Sequence, residues 1–138
     1  MADISPTAAN VAASTNAAKT TVTAGATITA GMPVYKDAND SDKYKAAIND
    51  DSTKAVARGV SLNGASDGQP LEIITSGEYN PGAAVTLGEI YCVSGTAGGL
   101  CPVGDIVSGD YMTIIGVAKD TETVNVHIQV SNALTPAE

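Results

Sequence analysis

The most regular stretch of the chain is Val124-Asn125-Val126-His127-Ile128-Gln129-Val130, where apolar and polar residues alternate through seven positions. A period of two predicts a strand with one buried and one wet face. Val124, Val126, Ile128 and Val130 are expected to point inward, and Asn125, His127 and Gln129 toward solvent. The apolar run Ile114-Ile115-Gly116-Val117-Ala118 precedes it. The segment between them, residues 119–123, is polar and of hairpin length. The pattern therefore predicts a C-terminal β-hairpin closing a small all-β core.

The same pattern occurs earlier in the chain. Ala57-Arg58-Gly59-Val60-Ser61 precedes a polar loop, Asn63 to Gln69, and then Pro70-Leu71-Glu72-Ile73-Ile74. Gly59 and Gly116 lie 57 positions apart, as do Val60 and Val117, Leu71 and Ile128, and Ile73 and Val130. Upstream, Gly25-Ala26-Thr27-Ile28-Thr29-Ala30-Gly31 matches Gly82-Ala83-Ala84-Val85-Thr86-Leu87-Gly88 at that same offset. One residue of slippage then aligns Val34-Tyr35 with Ile90-Tyr91. The reading is a duplicated β-unit, with pseudo-repeats over residues 25–74 and 82–131.

Other strands are expected within 27–35, broken at Gly31-Met32-Pro33, and over 44–48, 55–62, 90–93, part of 100–107, and 111–118. Acidic or Gly-rich turns separate them at 37–42, 49–52 and 94–99, and a turn-rich joint is expected at 77–82. Residues 1–23 sustain neither period and read as a flexible N-terminal arm, with a weak helix possible over 8–19. Residues 24–132 read as a single β-domain of barrel or β-tulip type, and 133–138 as an irregular C-terminal tail.

Composition sharpens this picture. The chain has 138 residues, which suits one domain able to bury about two thirds of its unfolded surface. With no Phe, no Trp and five Tyr, Val, Ile and Ala must fill the core. The net charge is −8, and all the excess is carried beyond Arg58, where nine acidic residues face one lysine, Lys119. Such a balance disfavours nucleic-acid binding, which needs clustered cations. No apolar run approaches the ~20 residues of a membrane-spanning helix. The N-terminus shows no secretory leader pattern, so cytoplasmic synthesis is expected.

Candidate chemistry is sparse. Asp37, Asn39 and Ser41 have the spacing of the first ligands of a Ca²⁺ loop. Asp42 stands where the sharp turn needs glycine and Ile48 where a bidentate glutamate is needed, so a solvated acidic turn is expected. Cys92 and Cys101 flank a hairpin tip and could face each other, either as free thiols or as a disulfide formed after release from the cell. No further ligand completes a metal set with them. His127 has no motif context for a triad. The expectation is a non-enzymatic protein without cofactor or metal.

The ordered set Gly25–Tyr35, Gly82–Tyr91, Ile115–Ala118 and Val124–Val130 resembles the capsid cement, or head decoration, proteins of tailed bacteriophages, over roughly residues 20 to 131. The resemblance implies a small β-barrel or β-tulip domain, made in the host cytoplasm and seated on the outside of the virion. There it would bind the major capsid protein and stiffen the DNA-filled head, commonly as a homotrimer, with no nucleic-acid or membrane partner. The long Ala/Thr/Ser arm departs from shorter relatives, and Ala8, Val11, Ala12, Thr15, Thr20 and Val22 are the expected capsid-binding residues. A secreted adhesion or carbohydrate-binding β-domain is the alternative, weakened by the missing leader and missing Trp; an accessory module of an enzyme is a third reading.

Overall fold

The computed structural model describes residues 3–4, 6–15, 17–106 and 110–134. It is an all-β protein, a strongly curled antiparallel sheet that forms a half-barrel. In chain order the strands are β1 (Val11–Ala13), β2 (Ala18–Thr23), β3 (Pro33–Asp37), β4 (Lys43–Ala46), β5 (Ala57–Ser61), β6 (Pro70–Pro81), β7 (Ile90–Val93), β8 (Leu100–Pro102), β9 (Tyr111–Ala118) and β10 (Val124–Leu134).

The sheet order is β4-β3-β5-β6-β10-β9-β7-β8, with β1 and β2 added on β6. Each half thus has its strands in the order second, first, third, fourth, and the halves join where β6 meets β10. The match extends to register. Pro33, Val34 and Tyr35 pair with Val60, Gly59 and Ala57, while Ile90, Tyr91 and Cys92 pair with Val117, Gly116 and Ile114. Every one of these positions is related by 57 residues, including the bulge left by Arg58 in one half and Ile115 in the other. The turns agree too. Gly31 N–H donates to Ser61 O as Gly88 N–H does to Ala118 O, and Ser61 N–H donates to Met32 O as Ala118 N–H does to Glu89 O. Gly31 and Gly88 both have positive φ, +94° and +81°, a region where a side chain is strained.

Three details of the repeat differ from the sequence reading. No slippage is needed at the first strand, because Val34 is equivalent to Tyr91. The offset falls to 56 at the second strand, where Tyr35 faces Lys45 and Cys92 faces Cys101. At the fourth strand it falls further: Val60 faces Ile74, and its counterpart Val117 faces Asn125. The step from Val117 to its partner Asn125 is six residues shorter than the step from Val60 to Ile74, so Ile73 is equivalent to Val124, not to Val130.

The halves meet through non-equivalent faces. Tyr35, Ala57, Val60 and Ile74 of the first half enter a shared core, together with Tyr79. Tyr91, Val93, Ile115, Val124 and Val126 of the second half meet them there. Val34, Leu71 and Ile73 lie on the opposite face of the first half, in a second cluster with Ala24, Ile28 and Ala65. Val34 and Tyr91 are equivalent, yet they enter different clusters. So one face of the first repeat packs against the other face of the second.

β6 lies at the centre. Tyr79 is opposed by both Ala13 and Val124, and Ile73 and Ile74 by both β2 and β5. One edge of β6 therefore holds β1 and β2, while β5 and β10 divide the other. The expected joint at 77–82 is strand as far as Pro81, because both of its edges are paired; Gly77 takes φ +104° within it.

The N-terminal segment is not a loose arm, and the expected helix is only a 3-10 turn at Ala8–Asn10. Ile4 N–H donates to Leu100 O at 3.0 Å on β8, and Thr7 N–H donates to Gly82 O at 2.8 Å. β1 and β2 then run along β6, and Gly25 N–H donates to Tyr44 O at 2.8 Å on β4. The segment ties both outer strands of the sheet to its central strand, which covers edges that would otherwise template pairing with other chains. Val11 is 8 % exposed and belongs to the shared core. The reason is local: Lys19-Thr20-Thr21-Val22-Thr23 is β-branched enough to be a strand, but too polar to announce one by alternation.

At the other end, Val124 and Val126 are buried as expected and Ile128 is half-buried, but Val130 is 38 % exposed. The register shifts between Val126 and Gln129, and the shared core ends at Ile128. β10 continues to Leu134, into the region expected to be tail; residues 135–138 lie outside the described part, as does Val107.

Candidate interaction surfaces

The expected capsid-binding residues divide by exposure. Ala8, Ala12, Thr15 and Thr20 are exposed. Val22 is half-buried against the second cluster and Val11 is buried in the first. Val11 and Val22 hold the segment onto its own domain and are not free to meet a partner. The other four form a discontinuous outer edge along β1 and β2.

The acidic turn after β3 is held by a lysine. Ser41 and Asp42 adopt left-handed φ of 56° and 60°. Lys45 Nζ donates to Asp37 Oδ2 at 2.9 Å and lies 3.1 Å from Asp40 Oδ2. Asn39 N–H donates to Asp37 Oδ1 at 3.0 Å. The Lys45 ammonium first, and the Asn39 amide second, hold the Asp37 carboxyl below the usual range; Asp37 and then Asp40 raise Lys45 above its own. The cation of this loop is therefore a side chain. Among the described residues no three His, Cys, Asp or Glu side chains gather to hold a metal ion.

Cys92 and Cys101 face each other across β7 and β8 as free, buried thiols. Burial, then Glu89, pushes Cys92 up to about 11. Burial, then Cys92 and three nearby carboxylates, pushes Cys101 up to about 12. The thiolate is the reactive form, so both are chemically quiet at neutral pH. Their counterparts in the first repeat are Tyr35 and Lys45, so the pair belongs to the second repeat alone.

His127 is exposed and stands opposite Ser76 across β6 and β10. Sequence order hid this neighbour, since only the β6–β10 register brings the two together. They share a shallow groove with Arg58 and Thr75. A cation there is the reverse of the carboxylate that orients a histidine base in a triad. Another depression, of about 470 Å³, is walled by the small residues Gly82, Ala83 and Ala84 with Asn10, Asn80, Thr121 and Glu122. Glu122, exposed, is its single charged group.

Two buried polar groups mark how the domain is locked. Thr113 Oγ1 donates to Ala55 O, and Asn49 Nδ2 donates to Val93 O at 3.2 Å. Each joins the first repeat to the second. Tyr79, at 1 % exposure, keeps its hydroxyl in the core without a hydrogen-bond partner among the described residues. Burial holds that phenol above the usual range.

What stands out on the surface is apolar. Leu87 is 66 % exposed and Val117 42 %. Val117 pairs directly with Ile90, which is half-buried, so their side chains share one face of the sheet. Alternation in the sequence could not assign this face: it predicted strands but not which side would be covered. In comparisons with known proteins, no family model matches the chain and no curated protein matches it.

Proposed function

We propose that the protein is a capsid decoration, or cement, protein. It binds the major capsid protein on the outside of the shell of a tailed bacteriophage, self-associates as a trimer, and stabilises the filled head. The observation that carries this reading is the duplicated β-scaffold whose open edges are strapped by its own N-terminal segment. A cement protein must stay soluble before assembly and resist unfolding afterwards, and edge coverage serves both. The motif order that resembles decoration proteins falls on the structural repeat itself: Gly31 and Gly88 at the turns, Gly116 at the central pairing of the second half. The net charge of −8 favours solubility and disfavours DNA as the partner.

Capsid contact is assigned to the exposed residues Ala8, Ala12, Thr15 and Thr20 and to the neighbouring loops. Many copies on one shell multiply weak contacts. The test is the composition of purified virions. A decoration protein co-purifies with heads at a fixed copy number and is resolved on their outer surface by imaging. Absence from the particles, or a copy number that varies between preparations, overturns the reading.

A further inference from the structure

One edge of β6 changes partner at Thr75. β5 pairs with that edge at Ile73 and Ile74, and β10 takes over at Ser76. Where the two strands part, a shallow groove of about 320 Å³ opens, bordered by Arg58 from β5, Ser76 from β6 and His127 from β10. Arg58 also lines a second depression, of about 360 Å³, with Lys36, Ser52 and Thr53. The two hollows therefore adjoin through one guanidinium.

Among the described residues neither hollow is lined by a carboxylate, although the chain has a net charge of −8. Lys43, Lys45 and Lys119 each hold a carboxylate, at 3.1, 2.9 and 2.9 Å. Lys36 and Arg58 have no such partner among the described residues. The acid nearest in sequence to the second hollow, Asp51, turns Oδ1 to the backbone N–H groups of Thr53 and Lys54. The hydroxyls of Ser52, Thr53 and Ser76 form no hydrogen bond among the described residues.

The repeat sets these cations in context. At the 57-residue offset Lys36 corresponds to Val93 and Arg58 to Ile115, and both aliphatic residues are 0 % exposed in the shared core. The positions that are apolar where the face is buried are cationic where it is wet. Exposure alone asks only for polar side chains, and like charges on neighbouring strands repel. An anion between them removes that repulsion. The planar fork of an arginine, an ammonium and nearby hydroxyls suit the oxygens of a phosphate or a carboxylate. A neutral imidazole adds one N–H donor.

We propose that the paired hollows around Arg58 bind an oxyanion, a phosphate or carboxylate group. Arg58 is the shared contact, with Lys36, Ser52 and Thr53 on one side and Ser76 and His127 on the other. The site does not depend on the decoration reading, and it is tested on purified protein alone.

The experiment is a titration of the isotope-labelled full chain followed through its amide NMR shifts. Inorganic phosphate is added in one arm and acetate in another, with chloride at matched ionic strength as the reference. At least one of the two anions should shift the amides of Thr53, Arg58, Ser76 and His127 along a saturating curve that chloride does not produce. Arg58→Gln should weaken that binding about tenfold, the scale of a hydrogen bond to a charged group, and Lys36→Gln should weaken it as well. Lys19→Gln, which removes an exposed charge on β2 outside both hollows, should leave it unchanged. Spectral dispersion in the same samples reports that each variant is folded. Saturation by phosphate alone assigns the site to phosphate groups, and saturation by acetate assigns it to carboxylates. Absence of a saturating shift with either anion overturns the proposal, as does a response that survives Arg58→Gln or one that Lys19→Gln weakens equally.

Discussion

The two repeats share a strand order, a first-strand register and a turn, yet they turn opposite faces into the shared core. In the first, Val60 is in the shared core and Arg58 is wet. In the second, Val117 is wet and Ile115 is in the core. One backbone plan therefore supports two burial patterns, and the difference comes from what lies next to each repeat. The first is covered on one face by its sister and closed on the other by the loops around Ile28 and Ala65, which exchange a pair of backbone hydrogen bonds at 2.8 and 2.9 Å. The second has its sister on one face, a loop three residues shorter after its third strand, and exposed aliphatic side chains, Leu87 and Val117, on its outside.

The largest test of this asymmetry is removal of residues 1–23. The strap lies along β6, a strand of the first repeat, and reaches the second through Ile4, Thr7 and Val11. Losing Val11 from the core costs about 2 kcal/mol, and one whole edge of a 12-residue strand is bared. The thermal midpoint should fall by at least about 10 °C, with aggregation on heating. An unchanged midpoint would mean that the strap adds nothing to the fold and is free to serve a partner.

Next in size is a pair of glycines. A Cβ on Gly59 would sit 2.6 Å from Ile74 O, and one on Gly116 would meet Asn125 O still more closely. Neither carbonyl can retreat without breaking the pairing of the third and fourth strands. Gly59→Ala and Gly116→Ala should each cost about 3 kcal/mol or more in denaturant unfolding. If only one is damaging, the two repeats are alike in strand order but not in close packing.

How much of this was legible in the sequence depends on residue chemistry. The all-β class and the 57-residue repeat were readable because Gly59, Gly116, Gly31 and Gly88 are demanded by backbone geometry, and such positions keep their spacing. The shift at the fourth strand was not readable, because Leu71, Ile73, Ile128 and Val130 satisfy a two-residue period in either register. The strap was missed because Ala, Thr and Ser carry too little hydrophobic contrast to show alternation, although their backbone groups pair as well as any. Candidate capsid residues were chosen on the premise of a free arm, and Val11 fell to that premise. The exposed valine was not read from the sequence: Val60 and Val117 both follow a glycine, and the contrast that separates them is in the residue before it, Arg58 against Ile115.

That pair gives the sharpest and smallest test. Val60 is fully buried, opposite Ile74 and among the shared-core residues, so Val60→Ala removes two methyl groups from a packed interior and leaves a cavity. The loss should be about 2 kcal/mol, combining transfer and cavity terms. Val117 has the same cross-strand geometry, with Ile90 in place of Pro33 and Asn125 in place of Ile74, but 42 % of it is in water. Val117→Ala should change stability by no more than about 0.5 kcal/mol at concentrations where the chain is monomeric. The measurement is equilibrium unfolding in urea at low protein concentration, with equal denaturant slopes required so that midpoints report stability. Equal losses at the two sites would mean that the second repeat's outer face is covered within the monomer, and the asymmetry between the halves would fail.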